Sequence, residues 1–345
     1  MSPSLRTLVV APNWVGDCLM AEPVFRALAA SGRELTVLAR RPLQPLLALF
    51  TGVTATLDRG TDEATLAAIS AREASGAGPF DEAVILPNSF RAAWLLSRAG
   101  IARRYGYRAE FRGPLLAPAV ARPRGRRPQI EDYRELLTAL GAPPPATWIP
   151  RLELSPALLA RGRERLERAH LSATDGAFVG LAPGAEWGAS KRWPMRHWAD
   201  LAHELRRRIP GVREAIFVGP KETWLGVRVH EESGKIHPLL GPDLDLAGLA
   251  ATLAHLDLLV TNDSGPMHLA AALGVPCVAL FGPTDRRRTA PAGGAGAGHV
   301  VLDRELWCSP CFRRRCPLLH HGCLRGIGVD AVATAAERAF ATRGE

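Results

Sequence analysis

Apolar runs of four or five residues recur along this chain and alternate with longer stretches of helical period. The runs are Leu8–Ala11, Leu35–Leu38, Ala83–Leu86, Ala177–Leu181, Ala215–Val218, Leu256–Val260 and Cys277–Phe281. They hold almost no polar residue, as expected of strands buried on both faces of a parallel sheet. Helical stretches lie between them at Glu22–Ala30, Leu43–Phe50, Ser89–Arg98, Tyr133–Leu140, Pro194–Arg208, Leu246–Ala254 and Pro266–Leu273. This alternation predicts an α/β fold of doubly wound sheets, with sites at the carboxyl ends of strands. Periodicity breaks at Gly141–Pro150, where Pro143, Pro144, Pro145 and Pro150 interrupt it. The chain therefore reads as two Rossmann-like halves, residues 1–145 and 151–328, facing across a cleft. The tail Val329–Arg343 reads as one last helix.

Composition narrows the class. Of 345 residues, 47% are hydrophobic and 22% charged, which excludes a disordered chain. Lys and Arg number 43 against 34 Asp and Glu, a net charge of +9. All but three of the cations are Arg; the exceptions are Lys191, Lys221 and Lys235. A balance of this kind points to anionic partners: nucleic acid, anionic lipid or phosphorylated small molecules. The first dozen residues lack the apolar core of a secretory signal. The longest uncharged stretch, Ser264–Thr284, is broken by Pro266, Pro276 and Pro283, so it reads as a buried helix, turn and strand. The expected home is the cytoplasm, where six Cys stay reduced.

Three loops carry chemistry. The first strand ends in Asn13-Trp14-Val15-Gly16-Asp17 ahead of a helix. A carboxylate there can serve as general base toward a hydroxyl, or simply cap the helix. The loop lacks the G-x-G-x-x-G fingerprint, and no Walker sequence occurs in the chain. The second half opens with a strand, then Pro183-Gly184-Ala185-Glu186-Trp187 and Ser190-Lys191-Arg192-Trp193-Pro194. Backbone N–H groups and a cation directed at one spot suit a diphosphate. A third strand runs into Asn262-Asp263-Ser264-Gly265-Pro266-Met267-His268. Ser264, Gly265 and the following amides form an anion-binding helix start, with His268 one turn on. Asp263, itself negative, fits better as an acceptor for sugar hydroxyls.

Taken together, the patterns N-W-V-G-D…E-P at 13–23, P-G-A-E-W…K-R-W-P at 183–194, T-N-D-S-G-P-M-H-L-A-A-A at 261–272 and F-G-P-T-D at 281–285 resemble the heptosyltransferases of glycosyltransferase family nine. The resemblance implies a GT-B fold whose C-terminal helix, here 329–345, returns to the first domain. It implies an inverting transfer of heptose from ADP-heptose to the lipopolysaccharide inner core, with Kdo–lipid A carrying one heptose as acceptor. On it, Asp17 is the catalytic base and Lys191 contacts the donor diphosphate and stabilises the departing ADP. Asp263 binds donor-sugar hydroxyls, and Ser264, Gly265, His268 and Gly184 line the donor site. Glu222 lies near the nucleoside ribose, and Asn13 faces the acceptor. No cofactor is called for. A divalent ion is left open, since no carboxylate cluster demands one and Lys191 can fill that role.

Two features stand outside this core. Arg98–Arg127 holds nine Arg against one acid, Glu110. Of these, Arg103, Arg104 and Arg108 are candidates for carboxylates and phosphates of the acceptor, and the stretch for the anionic inner membrane. It lacks the interleaved aromatics of a nucleic-acid surface apart from Tyr105, Tyr107 and Phe111, so nucleic acid is not an expected partner. Cys308, Cys311, Cys316 and Cys323, with His320 and His321 nearby, form a candidate structural zinc knuckle, though not at standard finger spacing. The alternatives are reduced or disulfide-paired structural Cys. Rival activities are transfer of the first heptose to Kdo, another acceptor in the same family, or a nucleotide-sugar epimerase of similar fold.

Overall fold

The computed structural model describes residues 4–341 except 126, 172–175 and 235–237. The chain forms two compact units, Met1–Leu152 and Glu153–Glu345. The first holds a sheet of β1 (Leu5–Val10), β2 (Arg33–Ala39), β3 (Val53–Asp58), β4 (Glu82–Ile85), β5 (Arg103–Tyr107) and β6 (Ala119–Val120), ordered β3-β2-β1-β4-β5-β6. The second holds β7 (Phe178–Ala182), β8 (Arg213–Phe217), β9 (Leu239–Leu240), β10 (Leu258–Asn262), β11 (Cys277–Phe281) and β12 (Val300–Asp303), ordered β12-β11-β10-β7-β8-β9. All neighbouring strands are parallel. Numbered within its own unit, each sheet has the order 3-2-1-4-5-6, the doubly wound arrangement expected. The winding direction reverses between β1 and β4, and again between β7 and β10, and such reversals are where ligands sit.

The strands form because their side chains are wanted on both faces. β7, β10 and β11 are buried along their whole length. Helix Met195–Arg208 presents Trp198, Leu201, Ala202 and Leu205 to that sheet, a spacing of three and four. Its last turn is Arg206-Arg207-Arg208, which suits the negative end of the helix dipole. Trp193 and Trp198 meet edge to face at 5.3 Å in the centre of this core. Truncating either to Ala costs about 3–5 kcal/mol.

Two expectations about organisation change. The last helix, Val329–Ala341, expected to return to the first domain, is built into the core of the second unit. Val332, Ala333, Ala336 and Ala339 join the core around Trp198, and Arg208 donates to Thr334 at 2.8 Å and pairs with Asp330. Its apolar stripe is complementary to helix Met195–Arg208, and that burial decides its place. The expected residues 342–345 of this helix lie outside the described residues. The proline-rich segment Gly141–Pro150, read as the break between the halves, belongs to the first unit, which runs as far as Leu152. Glu22, wholly buried in helix Val15–Ala30, accepts from the N–H of Arg151 at 3.0 Å and from Arg26 at 2.8 Å. Arg26 in turn donates to the carbonyls of Thr147 and Ile149. Burial pushes the Glu22 carboxyl up against these bonds.

The uncharged stretch 264–284 is the helix Gly265–Ala272 and strand β11. Among the described residues, no helix is long and apolar enough to cross a membrane.

Candidate active site

In the second unit, the loops after β7, β10 and β11 meet at the carboxyl edge of the sheet. Asn262, the last residue of β10, is buried and joins three segments. Its amide donates to the carbonyls of Pro183 at 2.8 Å and Gly184 at 3.3 Å, and its oxygen accepts from the N–H of Trp193 at 3.0 Å. Trp193 donates its indole N–H to the carbonyl of Ile327 at 3.0 Å. The loop carrying Lys191 is thereby fixed at its far end.

Lys191 Nζ lies 2.6 Å from Asp263 Oδ2 and 5.1 Å from the centre of the Trp187 ring. Asp263 is only 3% exposed, and Thr284, from the loop after β11, donates to the same oxygen. A buried carboxylate needs such partners, because desolvation of a lone charge costs several kcal/mol. Beside the pair, Ser264 and Gly265 open the helix Gly265–Ala272, and no side chain caps its first turn. His268, one turn in, is buried, and that burial lowers its pKa to about 4, with Lys191 adding to the effect and Asp263 opposing it. At neutral pH it is therefore an uncharged imidazole. The spot combines helix amides, a cation and a neutral hydrogen-bonding ring.

Glu222 and Gly184 are brought together. Glu222 Oε1 accepts from the N–H of Ala185 at 2.9 Å and from Arg192 at 2.8 Å. A Cβ on Gly184 would stand 2.2 Å from Glu222 Oε2. The absence of a side chain at Gly184 leaves the carboxylate room to reach under the loop. Glu222 thus shapes the loop after β7, whatever else it touches.

In the first unit, Asp17 is the third residue of helix Val15–Ala30, and Trp14 occupies the capping position. Asp17 therefore sits inside the first turn, where a carboxylate is favoured by the dipole, and not in the cap itself. Gln129 donates to Asp17 Oδ1 at 2.9 Å. Nothing in the sequence pattern marked Gln129, which lies far along the chain at the start of the 3-10 helix Gln129–Tyr133.

Asn13 accepts from Arg59 and lines a cavity of about 300 Å³ with Arg40, Arg59, Asp62, Ser89 and Arg91. Arg40 and Arg59 directly follow β2 and β3, so the cavity stands at the carboxyl edge of the sheet, beside the Asp17 loop. Burial, with Arg40 and Arg91 close by, pulls the Arg59 guanidinium below its ordinary value. Arg91 pairs with Asp62 at 2.8 Å. Three guanidiniums against one carboxylate make a net cationic pocket.

The Arg-rich stretch is placed otherwise. Arg103 and Arg104 begin β5, level with Glu82 and Ala83 of β4, at the amino edge of the sheet. Arg104 donates to the carbonyls of Leu115 at 2.7 Å and Ala102 at 3.1 Å. Arg103 donates to the carbonyl of Asp81 at 3.2 Å. Neither is brought near Asn13. Arg108 alone of the three follows the carboxyl end of its strand, and it is exposed. Arg112 is fully buried, bonded to the carbonyls of Tyr107, Pro87 and Ser89, and Arg127 pairs with Asp132 and Glu135. Arg126 lies outside the described residues. Much of this basic run therefore serves as internal hydrogen-bond donor rather than as a surface field.

The four C-terminal Cys form no disulfide with one another and line one pocket with His320 and His321. Among the described residues, no three His, Cys, Asp or Glu groups stand ready to hold a metal ion. The thiols share a pocket without converging on one point.

Two doubly wound parallel sheets, each with loops gathered at its reversal point, have the architecture of the GT-B class of glycosyltransferases. Residues 70–321 match Glycosyltransferase family 9 (heptosyltransferase), and the chain belongs to that family. It is 32% identical to lipopolysaccharide heptosyltransferase 2 of Salmonella typhimurium over 301 residues, covering 83% of this chain and 85% of that one. It is 29% identical to lipooligosaccharide heptosyltransferase 2 of Haemophilus influenzae, covering 88% and 90%. The solved structure of E. coli ADP-heptose lps heptosyltransferase II superposes with a TM-score of 0.80 at 27% identity, covering 99% of this chain and 100% of that chain.

Proposed function

We propose that this enzyme transfers L-glycero-D-manno-heptose from ADP-heptose to the first heptose of the lipopolysaccharide inner core, with inversion. The observation that carries the reading is the Lys191–Asp263 pair beside the helix start at Ser264 and Gly265. The relatives named for ADP-heptose and lipopolysaccharide support it. In the reaction, Asp17 takes the proton of the acceptor hydroxyl as that oxygen attacks the anomeric carbon. The bond from that carbon to the β-phosphate oxygen breaks, and ADP leaves with the electron pair. Lys191 and the helix amides meet the charge that develops on the diphosphate. Asp263 accepts from donor-sugar hydroxyls through Oδ1, since Lys191 and Thr284 both bind Oδ2. His268 adds hydrogen bonding without charge.

The acceptor is anionic, and we assign its phosphate or carboxylate groups to Arg40, Arg59 and Arg91. Peripheral contact with an anionic membrane surface fits the loop after β5, where Phe111 is 97% exposed near Arg108. The test is incubation with ADP-heptose and Kdo–lipid A acceptors bearing no heptose or one. ADP release and a mass gain of one heptose only with the second acceptor support the reading. Absence of release with either refutes it. Co-sedimentation with vesicles with and without anionic lipid tests the membrane contact.

A further inference from the structure

Residues 304–321, between β12 and the short helix Gly322–Arg325, contain no helix or strand. Structureless loops of this length are uncommon inside compact units unless something holds them. Its own apolar residues do not: Trp307 is 88% exposed and Leu319 80%. Phe312, Leu319 and His321 adopt left-handed backbone conformations, each unfavourable for a residue with a side chain. The loop nevertheless does structural work. Ser190 donates its N–H to the carbonyl of Arg314 at 3.2 Å and its hydroxyl to that of Arg313. A Cβ on Gly188 would strike Arg314, so the two loops are in close backbone contact. On the other side, Phe312 donates to the carbonyl of Pro283 at 2.8 Å, and Ser309 to that of Gly282 at 2.6 Å. The loop thus touches the neighbours of Lys191 and of Thr284, the two residues that bind Asp263.

What the loop has in place of a core is thiols. Cys308, Cys311, Cys316 and Cys323 all face one pocket, whose wall also includes Ser190 and Pro283. Cys308 Sγ is 3.9 Å from His320 Nε2. Cys18 and Cys277, the other two Cys, are buried singly elsewhere. We propose that the 308–323 thiols bind one zinc ion, with His320 available in place of one sulfur, and that the ion holds the loop that positions Lys191. Zinc with four soft ligands is tetrahedral, at about 2.3 Å to sulfur. Each ligating thiol releases its proton to solvent as its sulfur–metal bond forms, and no oxidation occurs. The sulfurs do not yet converge, so binding the ion requires them to move inward. The ion is structural, since no substrate-facing group ligates it. The consequence for Lys191 rests on the donor-binding role given above; the metal site does not.

The experiment uses the full chain, untagged and reduced, purified from zinc-supplemented cells. Expected are about one zinc per chain by mass spectrometry and slow reaction of the four thiols with Ellman's reagent. Chelation should speed that reaction and open 304–321 to protease. Cys311→Ser with Cys316→Ser should lose the zinc, while the wild-type zinc content stands as a test even if that variant fails to fold. Zinc below about a tenth of an equivalent, both as purified and after incubation with zinc, overturns the site. If zinc is present, its removal should weaken ADP binding about tenfold and Lys191→Ala should abolish that sensitivity. Unchanged ADP affinity on removal overturns the link to Lys191 and leaves the heptose transfer reading untouched.

Discussion

Lys191 and Asp263 form a 2.6 Å ion pair between the loop after β7 and the end of β10. A charged pair so little exposed is poised rather than merely stabilising. Losing one partner strands the other in a poorly solvated place. Lys191→Ala should therefore cut kcat by about 10²–10³-fold through the leaving group and also lower Tm. Adding Asp263→Asn should restore much of the Tm and none of the rate. Recovery of both by the double variant would mean that the pair is purely structural. Thermal melts alongside initial rates of ADP release decide it.

Asp17→Asn should lower kcat by about 10²–10⁴-fold, the usual reach of a positioned base. ADP affinity should not change, because Asp17 belongs to the first unit. Gln129→Ala should cost several-fold in kcat, since Gln129 orients Asp17 Oδ1. Equal effects on kcat and on ADP affinity would argue against the base assignment. Steady-state rates paired with calorimetric ADP titrations separate these outcomes.

Arg59→Gln with Arg91→Gln should raise the acceptor KM by tenfold or more, at about 1.5–3 kcal/mol for each charged hydrogen bond, with the donor KM unchanged. Arg104→Gln should instead lower Tm, because its guanidinium holds backbone carbonyls. If Arg104→Gln shifted the acceptor KM and the cavity pair did not, the acceptor site would have to be moved to β5.

Glu214, on β8, is 3% exposed, and burial pushes its carboxyl up to about 8 from 4.5, with Arg206 at 3.7 Å partly opposing. A carboxyl with a raised folded pKa binds its proton more tightly when folded. Its contribution to stability is therefore full below about pH 4.5, declines as pH rises toward 8, and is flat beyond. Glu214→Gln should remove that decline, which is on the order of 3 kcal/mol. Urea midpoints of both proteins at pH 5, 6.5 and 8 give the comparison. Parallel curves would dismiss the effect. The difference between the two is the quantity to read, since His268, with its lowered pKa, changes stability in the opposite sense over pH 4 to 6.5.

The central strands were legible because both their faces are covered. β1, β2 and β4 form the middle of one sheet, and β7, β8, β10 and β11 the middle of the other. The unread strands, β3, β5, β6, β9 and β12, lie at or next to the edges. Val53-Thr-Ala-Thr-Leu-Asp58 and Arg103-Arg-Tyr-Gly-Tyr107 alternate or mix polarity because one side meets solvent or a loop. Helix Val15–Ala30 begins seven residues before the expected Glu22, since Pro23 reads as a helix start but here lies within the helix. The loops after β7 and β10 that meet at Lys191 and Asp263 were readable because Gly, Lys and Asn-Asp-Ser-Gly fall within short segments. The cationic cavity was not, because Arg40 and Arg59 come from two separate loops, one of them after an unread strand, and Arg91 from the start of helix Phe90–Arg98. Density of Arg in sequence does not report which guanidiniums are free: Arg112 and Arg104 donate to backbone carbonyls.

The shared 3-2-1-4-5-6 order of the two sheets has a practical consequence. Each half is a complete winding with its own reversal point, so if the first unit takes the acceptor and the second the donor, as proposed above, specificity for the two substrates is modular. On that assignment, grafting the first 152 residues of a family member with a different acceptor onto this chain's remainder is expected to give a chimera that keeps its nucleotide-sugar preference and changes what it decorates.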